Sequence, residues 1–392
     1  MYPEAVAEAN KALDLDPKWV FILNQLGYLY IETRDLEKAE EYLKKAVAAA
    51  PEDANPLDSL GYFYFLTGRL DEAIAQYKEA VRLKPDFGSE AIIAYIYAVK
   101  GDYAEALASL DIFILASSSK TWLSLGYTWK AVFHHILGQR EQAGIEAGRA
   151  QKARESLGDK FGTALAQLTQ ANFHFERGDY ETAIRMFSGY QKDILEAQPG
   201  WGSIAAAENE LWLALVEWKR GRIESAKQKL DRIRPFFSEM PASGREVAVQ
   251  LEKNFRILQS EIWLSEGRTA EVIDFLEKEF VLHIPVIGTG YARAFALYNF
   301  PPDQDVLARA YQRAGNLDRA IDEYKKLVIF NPASQDRRMH NPVYHYRLAK
   351  ICEQKGLREE AKKAYSRFLE LWKDADPGIP EFADARKRLA QF

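Results

Sequence analysis

Residues 57–85 read LDSLGYFYFLTGRLDEAIAQYKEAVRLKP, and the centre of this stretch, Gly68-Arg69-Leu70-Asp71-Glu72-Ala73, decides the fold. A glycine can take the left-handed backbone conformation that ends one helix. The polar residues behind it turn the chain and open a second helix, where Asp71 and Glu72 suit the positive N-terminal end. Five places after the glycine, Ala73 stands where two helices cross too closely for a larger side chain. Upstream, Leu57, Leu60, Gly61 and Tyr64 recur at helical spacing. Downstream, Tyr77 and Ala80 continue the second helix until Pro85 stops it. The stretch predicts a helix–turn–helix hairpin.

The same punctuation returns along the chain, as Gly101…Ala106, Gly138…Ala143, Gly178…Ala183, Gly221…Ala226, Gly315…Ala320 and Gly356…Ala361. Gly267…Val272 is a weaker copy, and Arg34-Asp35-Leu36-Glu37-Lys38-Ala39 lacks the glycine. Ala5 to Ala39 and Ala39 to Ala73 are each 34 residues apart, and Ala73 to Ala106 is 33. The spacing then grows through 37, 40, 43 and 46 to 48 before returning to 41 at Ala361. Extra length must enter helices or loops, and the composition of Thr182–Ala197 and Ile204–Arg220 predicts longer helices.

Leu, Gly, Tyr, Ala, Tyr, Ala and Pro in residues 57–85 stand where the tetratricopeptide motif requires them. Leu23, Leu26, Gly27, Tyr30, Ala39, Leu43, Ala46 and Pro51 match it again. The chain therefore resembles the tetratricopeptide-repeat family over nearly its whole length, with about nine units agreeing on register. The resemblance implies an all-α, right-handed superhelical solenoid of about nine to ten antiparallel helix pairs that binds a protein or peptide. The lengthened units resemble those of kinesin light chains and of maltose-regulator-type bacterial sensors. Tyr365, Phe368, Leu369, Leu371, Trp372 and 374–377 resemble arrays fused to bacterial signalling proteins. That likeness implies the interaction or sensor part of a larger signalling protein.

Composition narrows the function classes. A formal net charge of −5 argues against a nucleic-acid face as the main activity, and 47% hydrophobic residues exclude disorder. One cysteine, Cys352, allows no internal disulfide and no thiolate metal cluster, which suits a cytoplasmic setting. No run reaches the roughly 18–20 apolar residues that span a bilayer; Ala91–Val99 is the most apolar and is flanked by Glu90 and Lys100.

Four regions follow: 1–115 as regular units, 116–280 as lengthened units, 281–303 as a long loop with a short helix near Ala292–Leu297, and 304–392 as the last units. Residues 2–16 read as the second helix of a unit whose first helix is absent, so the sequence is expected to continue upstream. Glu381–Phe392 is expected to form a capping helix with Arg386, Lys387 and Arg388 on its polar side.

In such a solenoid the first helix of each pair lines the concave face. Tyr28, Tyr62 and Tyr95 fall at one place in three successive units, predicting an aromatic ladder with Asn24, Asp58, Phe65 and Ile31 nearby. The same rings could instead pack only between units. Trp129, Phe175, Leu211, Trp212 and Trp218 map to the inner side of the middle units, as a groove or as filling for longer helices. Arg309, Arg313, Arg337, Arg338, Arg347 and Lys350 predict an acidic-ligand patch near the end, unless they pair with Asp305 and Glu353. The carboxylate clamp of chaperone-binding family members is not reproduced, since Phe21 and Gln25 stand at its first positions.

Catalytic and cofactor signatures are missing from the sequence. His134 and His135 point in different directions on a helix, His340 and His345 have no third ligand at a recognised spacing, and Cys352 maps to a buried position. Gly288-Thr289-Gly290 lacks the lysine of a phosphate loop. The reading is a non-catalytic scaffold with no cofactor, metal, nucleic acid or membrane insertion. A small-molecule sensor and a self-associating array remain as alternatives.

Overall fold

A computed structural model of the chain describes residues 2–238, 245–279, 299, 304–334 and 336–392. The expected loop at 281–303 and its helix near Ala292–Leu297 lie outside the described residues, apart from Asn299. The described residues form an all-α repeat array that divides into two compact units.

Unit 1 comprises residues 1–118 together with Asn331–Arg337. It contains α1 (Tyr2–Leu15), α2 (Val20–Glu32), α3 (Leu36–Ala49), α4 (Ala54–Leu66), α5 (Leu70–Leu83), α6 (Ser89–Lys100) and α7 (Tyr103–Ala116). The pairs α2–α3, α4–α5 and α6–α7 are antiparallel hairpins stacked in chain order. The repeat alanines Ala39, Ala73 and Ala106 are fully buried, as the close crossing demands. A Cβ on Gly61 would sit 3.1 Å from the Tyr77 ring, so the glycine admits that ring against the α4 backbone.

Unit 2 comprises Ser119–Phe330 and Arg338–Phe392. It begins with α8 (Lys120–Ile136), α9 (Arg140–Glu155), α10 (Lys160–Glu176), α11 (Tyr180–Ala197), α12 (Gly202–Lys219), α13 (Ile223–Ser238), α14 (Arg245–Ser265) and α15 (Thr269–Glu279). It ends with α16 (Val306–Arg313), α17 (Leu317–Val328), α18 (Val343–Lys355), α19 (Arg358–Leu371) and α20 (Pro380–Leu389). Helices α8 to α14 run from 16 to 21 residues against 12 to 14 in unit 1, which is where the widened repeat spacing goes. Ala143, Ala183, Ala226, Ala320 and Ala361 are again fully buried, and so is Val272.

The turn glycines at 68, 101, 138, 178, 221, 267, 315 and 356 all have positive φ. Where the glycine is missing, Arg34 takes the same conformation at φ 63°. The chain turns here because the repeat geometry requires it, and an arginine bears the strain.

Within unit 2 the last segments return to the first hairpin. The Trp372 Nε1–H donates to Ile136 O at 2.9 Å, and the Asp376 N–H donates to Gly138 O at 3.1 Å. Asp376 Oδ2 accepts from the Glu141 N–H at 3.0 Å. One short segment thus satisfies carbonyls at the end of α8 and an amide at the start of α9, groups that a helix leaves without internal partners.

Candidate partner-binding surface

In unit 1 the first helices of the three hairpins, α2, α4 and α6, present the predicted ladder on one shared side. Tyr28 and Tyr62 are half-buried, with ring centroids 6.1 Å apart. A polar lattice fixes Tyr28. The Asn24 side-chain amide donates to Ser59 Oγ at 2.9 Å and to Asn55 Oδ1 at 3.2 Å, and the Tyr28 hydroxyl reaches Ser59 Oγ at 3.2 Å. Ser59 Oγ–H itself donates to Asn55 O at 3.1 Å. Asp58 accepts from the Ser89 hydroxyl of α6, and burial pushes its carboxyl up to about 6. Burial also raises the Tyr28 phenol. Ser59, Ser89 and Asn55 were not singled out in the sequence, because the repeat motif marks scaffold positions and these lie between them.

The third rung differs from the expectation. Tyr95 is 2% exposed and Phe65 is fully buried, their rings 6.1 Å apart and edge-on. Arg337, which follows the turn Asn331–Ser334, covers them. The Tyr95 hydroxyl donates to Arg337 O at 2.6 Å, and Arg337 Nε–H donates to Phe65 O at 2.9 Å. The ladder in this structure is therefore two half-exposed tyrosines followed by a covered site.

In unit 2, Trp212 is 2% exposed and stacks on Phe187 of α11, centroids 5.0 Å and planes 7° apart. Leu211 and Phe175 are buried as well. These three fill the space between lengthened helices and do not line a groove. Trp129 is half-buried beside Phe133 at 6.0 Å, and Trp218 is half-buried under the Lys219 ammonium at 4.6 Å.

The six basic residues expected to form one patch differ in burial and in partners. Arg337 belongs to unit 1 and is 1% exposed. Asp305, fully enclosed at 1% exposure, accepts from Arg309 Nε–H at 2.9 Å, Arg347 Nη1–H at 2.7 Å and the Tyr324 hydroxyl at 2.8 Å. Arg309 also forks onto buried Glu261, and Arg313 donates to Leu264 O. A buried carboxylate demands such partners, so Arg309 and Arg347 serve the interior, whereas Arg313 is exposed. Lys350 is exposed, its ammonium 3.4 Å from the Tyr346 hydroxyl, and Arg338 is half-buried.

Cys352 is buried, and burial raises its thiol, which disfavours the thiolate a nucleophile needs. His340 Nε2 and His345 Nε2 lie 3.0 Å apart, and burial lowers both rings, to about 3 and about 4. His135 stacks on Phe173 at 4.3 Å and meets Glu176, whereas His134 meets Gln139. Among the described residues no group of three or more His, Cys, Asp or Glu side chains could hold a metal ion, and no helix is long and apolar enough to cross a membrane.

Two family models described as tetratricopeptide repeats match the chain, one over residues 24–86 and one over 343–371. No curated protein matches it. Among solved structures, a tetratricopeptide repeat protein from Parabacteroides merdae ATCC 43184 is 17% identical, with 76% of this chain and 99% of that chain covered and a TM-score of 0.48. MamA is 22% identical over 40% of this chain and 91% of its own, TM-score 0.35. PilW, a type IV pilus biogenesis factor, is 20% identical over 50% of this chain and 86% of its own, TM-score 0.39. These scores are too low to carry a function from any of them to this chain.

Proposed function

We propose that the chain, which tetratricopeptide-repeat models match at residues 24–86 and 343–371, is a non-catalytic interaction scaffold whose unit 1 binds an extended peptide along α2 and α4. The observation that carries this reading is the Tyr28–Tyr62 pair, half-exposed, with Tyr28 held by the Asn24–Ser59–Asn55 lattice and Tyr62 packed beside its ring. Rings fixed in advance offer apolar area at small entropic cost, and their hydroxyls and Asp58 can receive or donate hydrogen bonds to a peptide backbone. Exposed Phe21 on the same helix as Tyr28 extends the apolar surface. The setting we assign is the interaction part of a larger bacterial signalling protein in a reducing compartment such as the cytoplasm, which the lone cysteine suits.

The test is selection of phage-displayed peptides on the whole chain, followed by anisotropy titration of a selected peptide. Tyr28→Ala with Tyr62→Ala is expected to weaken binding at least tenfold while helical circular dichroism stays unchanged. Unchanged affinity would sink the proposal. A concentration-dependent oligomer that buries the two tyrosines would favour self-association in its place.

A further inference from the structure

Arg337 is a large polar side chain at 1% exposure, held by carbonyl oxygens. Its Nε–H donates to Phe65 O at 2.9 Å and its Nη2–H to Leu66 O at 3.2 Å. Both acceptors belong to the last turn of α4, where the helix dipole is negative; Phe65 O also accepts from the Gly68 N–H at 3.2 Å. The other acceptors come from the arginine's own segment: Pro332 O at 3.4 Å, Ser334 O at 2.7 Å and Asp336 O at 2.8 Å. The segment is a compact turn, with the Ser334 N–H on Asn331 O and the Ala333 N–H on Asn331 Oδ1, both at 3.0 Å. Tyr95 donates its hydroxyl to the Arg337 carbonyl, and Gly68 leaves room for the Pro332 carbonyl, which a Cβ there would overlap.

A guanidinium buried this deeply must recover its lost hydration through its N–H groups. The end of α4 offers that compensation to any arginine presented on a similar turn. We propose that the α4 carbonyls, Gly68 and Tyr95 form a binding site for an arginine that a peptide presents on a turn. The chain's own Pro332 and Arg337 occupy it until a peptide of that chemistry replaces them. This rests on the reading of unit 1 as a peptide-binding scaffold and names both its partner chemistry and its regulation. A tethered segment competes at an effective concentration on the order of millimolar, so an incoming peptide is masked in proportion to the occupied fraction.

The experiment uses the whole chain and a fluorescein-labelled peptide of residues 331–338, NPASQDRR, with a control peptide carrying alanine at the place of Arg337. The Arg337→Ala chain is expected to bind the first peptide at least tenfold more tightly than the unsubstituted chain does, and to ignore the control. Equal affinity of the two chains, or equal binding of the two peptides, overturns the proposal. Should Arg337→Ala unfold, Arg337→Gln takes its place with the same expectation. Unfolding of both shows the arginine to be a fixed structural element and overturns the proposal too. If this assay fails while the loss at Tyr28 and Tyr62 persists, the scaffold reading stands without the arginine site. The reverse result leaves the arginine site without the tyrosine groove.

Discussion

Asp58 sits between α4 and α6, accepts from Ser89, and has its carboxyl raised from 3.8 to about 6 by burial. The folded chain therefore binds more protons than the unfolded chain between about pH 4 and pH 6. Its contribution to stability is greatest below that window and is lost as pH rises through it. The ionised form costs at most about 3 kcal/mol at neutral pH, the worth of a shift of this size. Asp58→Asn keeps an acceptor for Ser89 and removes the charge. It is expected to stabilise the chain at pH 7.5 by about 1–2 kcal/mol and to flatten the fall in stability from pH 4 to 6, as urea titrations at several pH values would show. A variant less stable at pH 7.5 would mean that the carboxylate is better compensated than its burial implies.

At the scale of elements, the repeat turn does two jobs. In the turns at 178 and 267, a Cβ on the glycine would meet nothing within 4 Å, and the glycine is needed only for its positive φ. At Gly68 the same conformation also admits Pro332 and the Arg337 guanidinium, and at Gly138 it admits Ala375, Ile379 and Trp372. Two of the repeat turns are thus docking points for distant segments of their own unit. Gly178→Ala is expected to cost about 1 kcal/mol, the strain of a left-handed alanine. Gly68→Ala should cost at least twice that, because the overlap with the Pro332 carbonyl adds to the same strain. Thermal denaturation of both variants checks the ratio, and equal losses would mean that the segment yields without cost.

On the scale of the whole molecule, a repeat array gains stability mostly from nearest neighbours, so distant ends should open independently. Unit 2 departs from that rule, since Trp372 and Asp376 cap the α8–α9 turn across more than two hundred residues of chain. Asp376 plays the part of an N-cap for α9, a contact worth about 1 kcal/mol when lost. Asp376→Ala is accordingly expected to speed amide exchange at Glu141–Ala143 about fivefold. Amides of α11, remote from the contact, serve as the control. Uniform acceleration would indicate general destabilisation, and no change would show the cap to be idle.

The hairpins, their register, the buried alanines and the positive-φ glycines were all legible in the sequence, because they arise from local backbone geometry repeated along the chain. The Tyr28–Tyr62 pair was legible for the same reason, as one helical position in successive units. What remote segments cover was not legible. Tyr95 occupies the same repeat position as Tyr28, yet a segment some 240 residues away covers it. Arg309 and Arg347 read either as a basic patch or as partners of Asp305, and both turn to a fully enclosed Asp305. The repeat by itself determined the scaffold, since period and punctuation act between neighbours. Only the tertiary structure decided which of its surfaces stay open, because that depends on where remote segments return, and no short-range pattern records it.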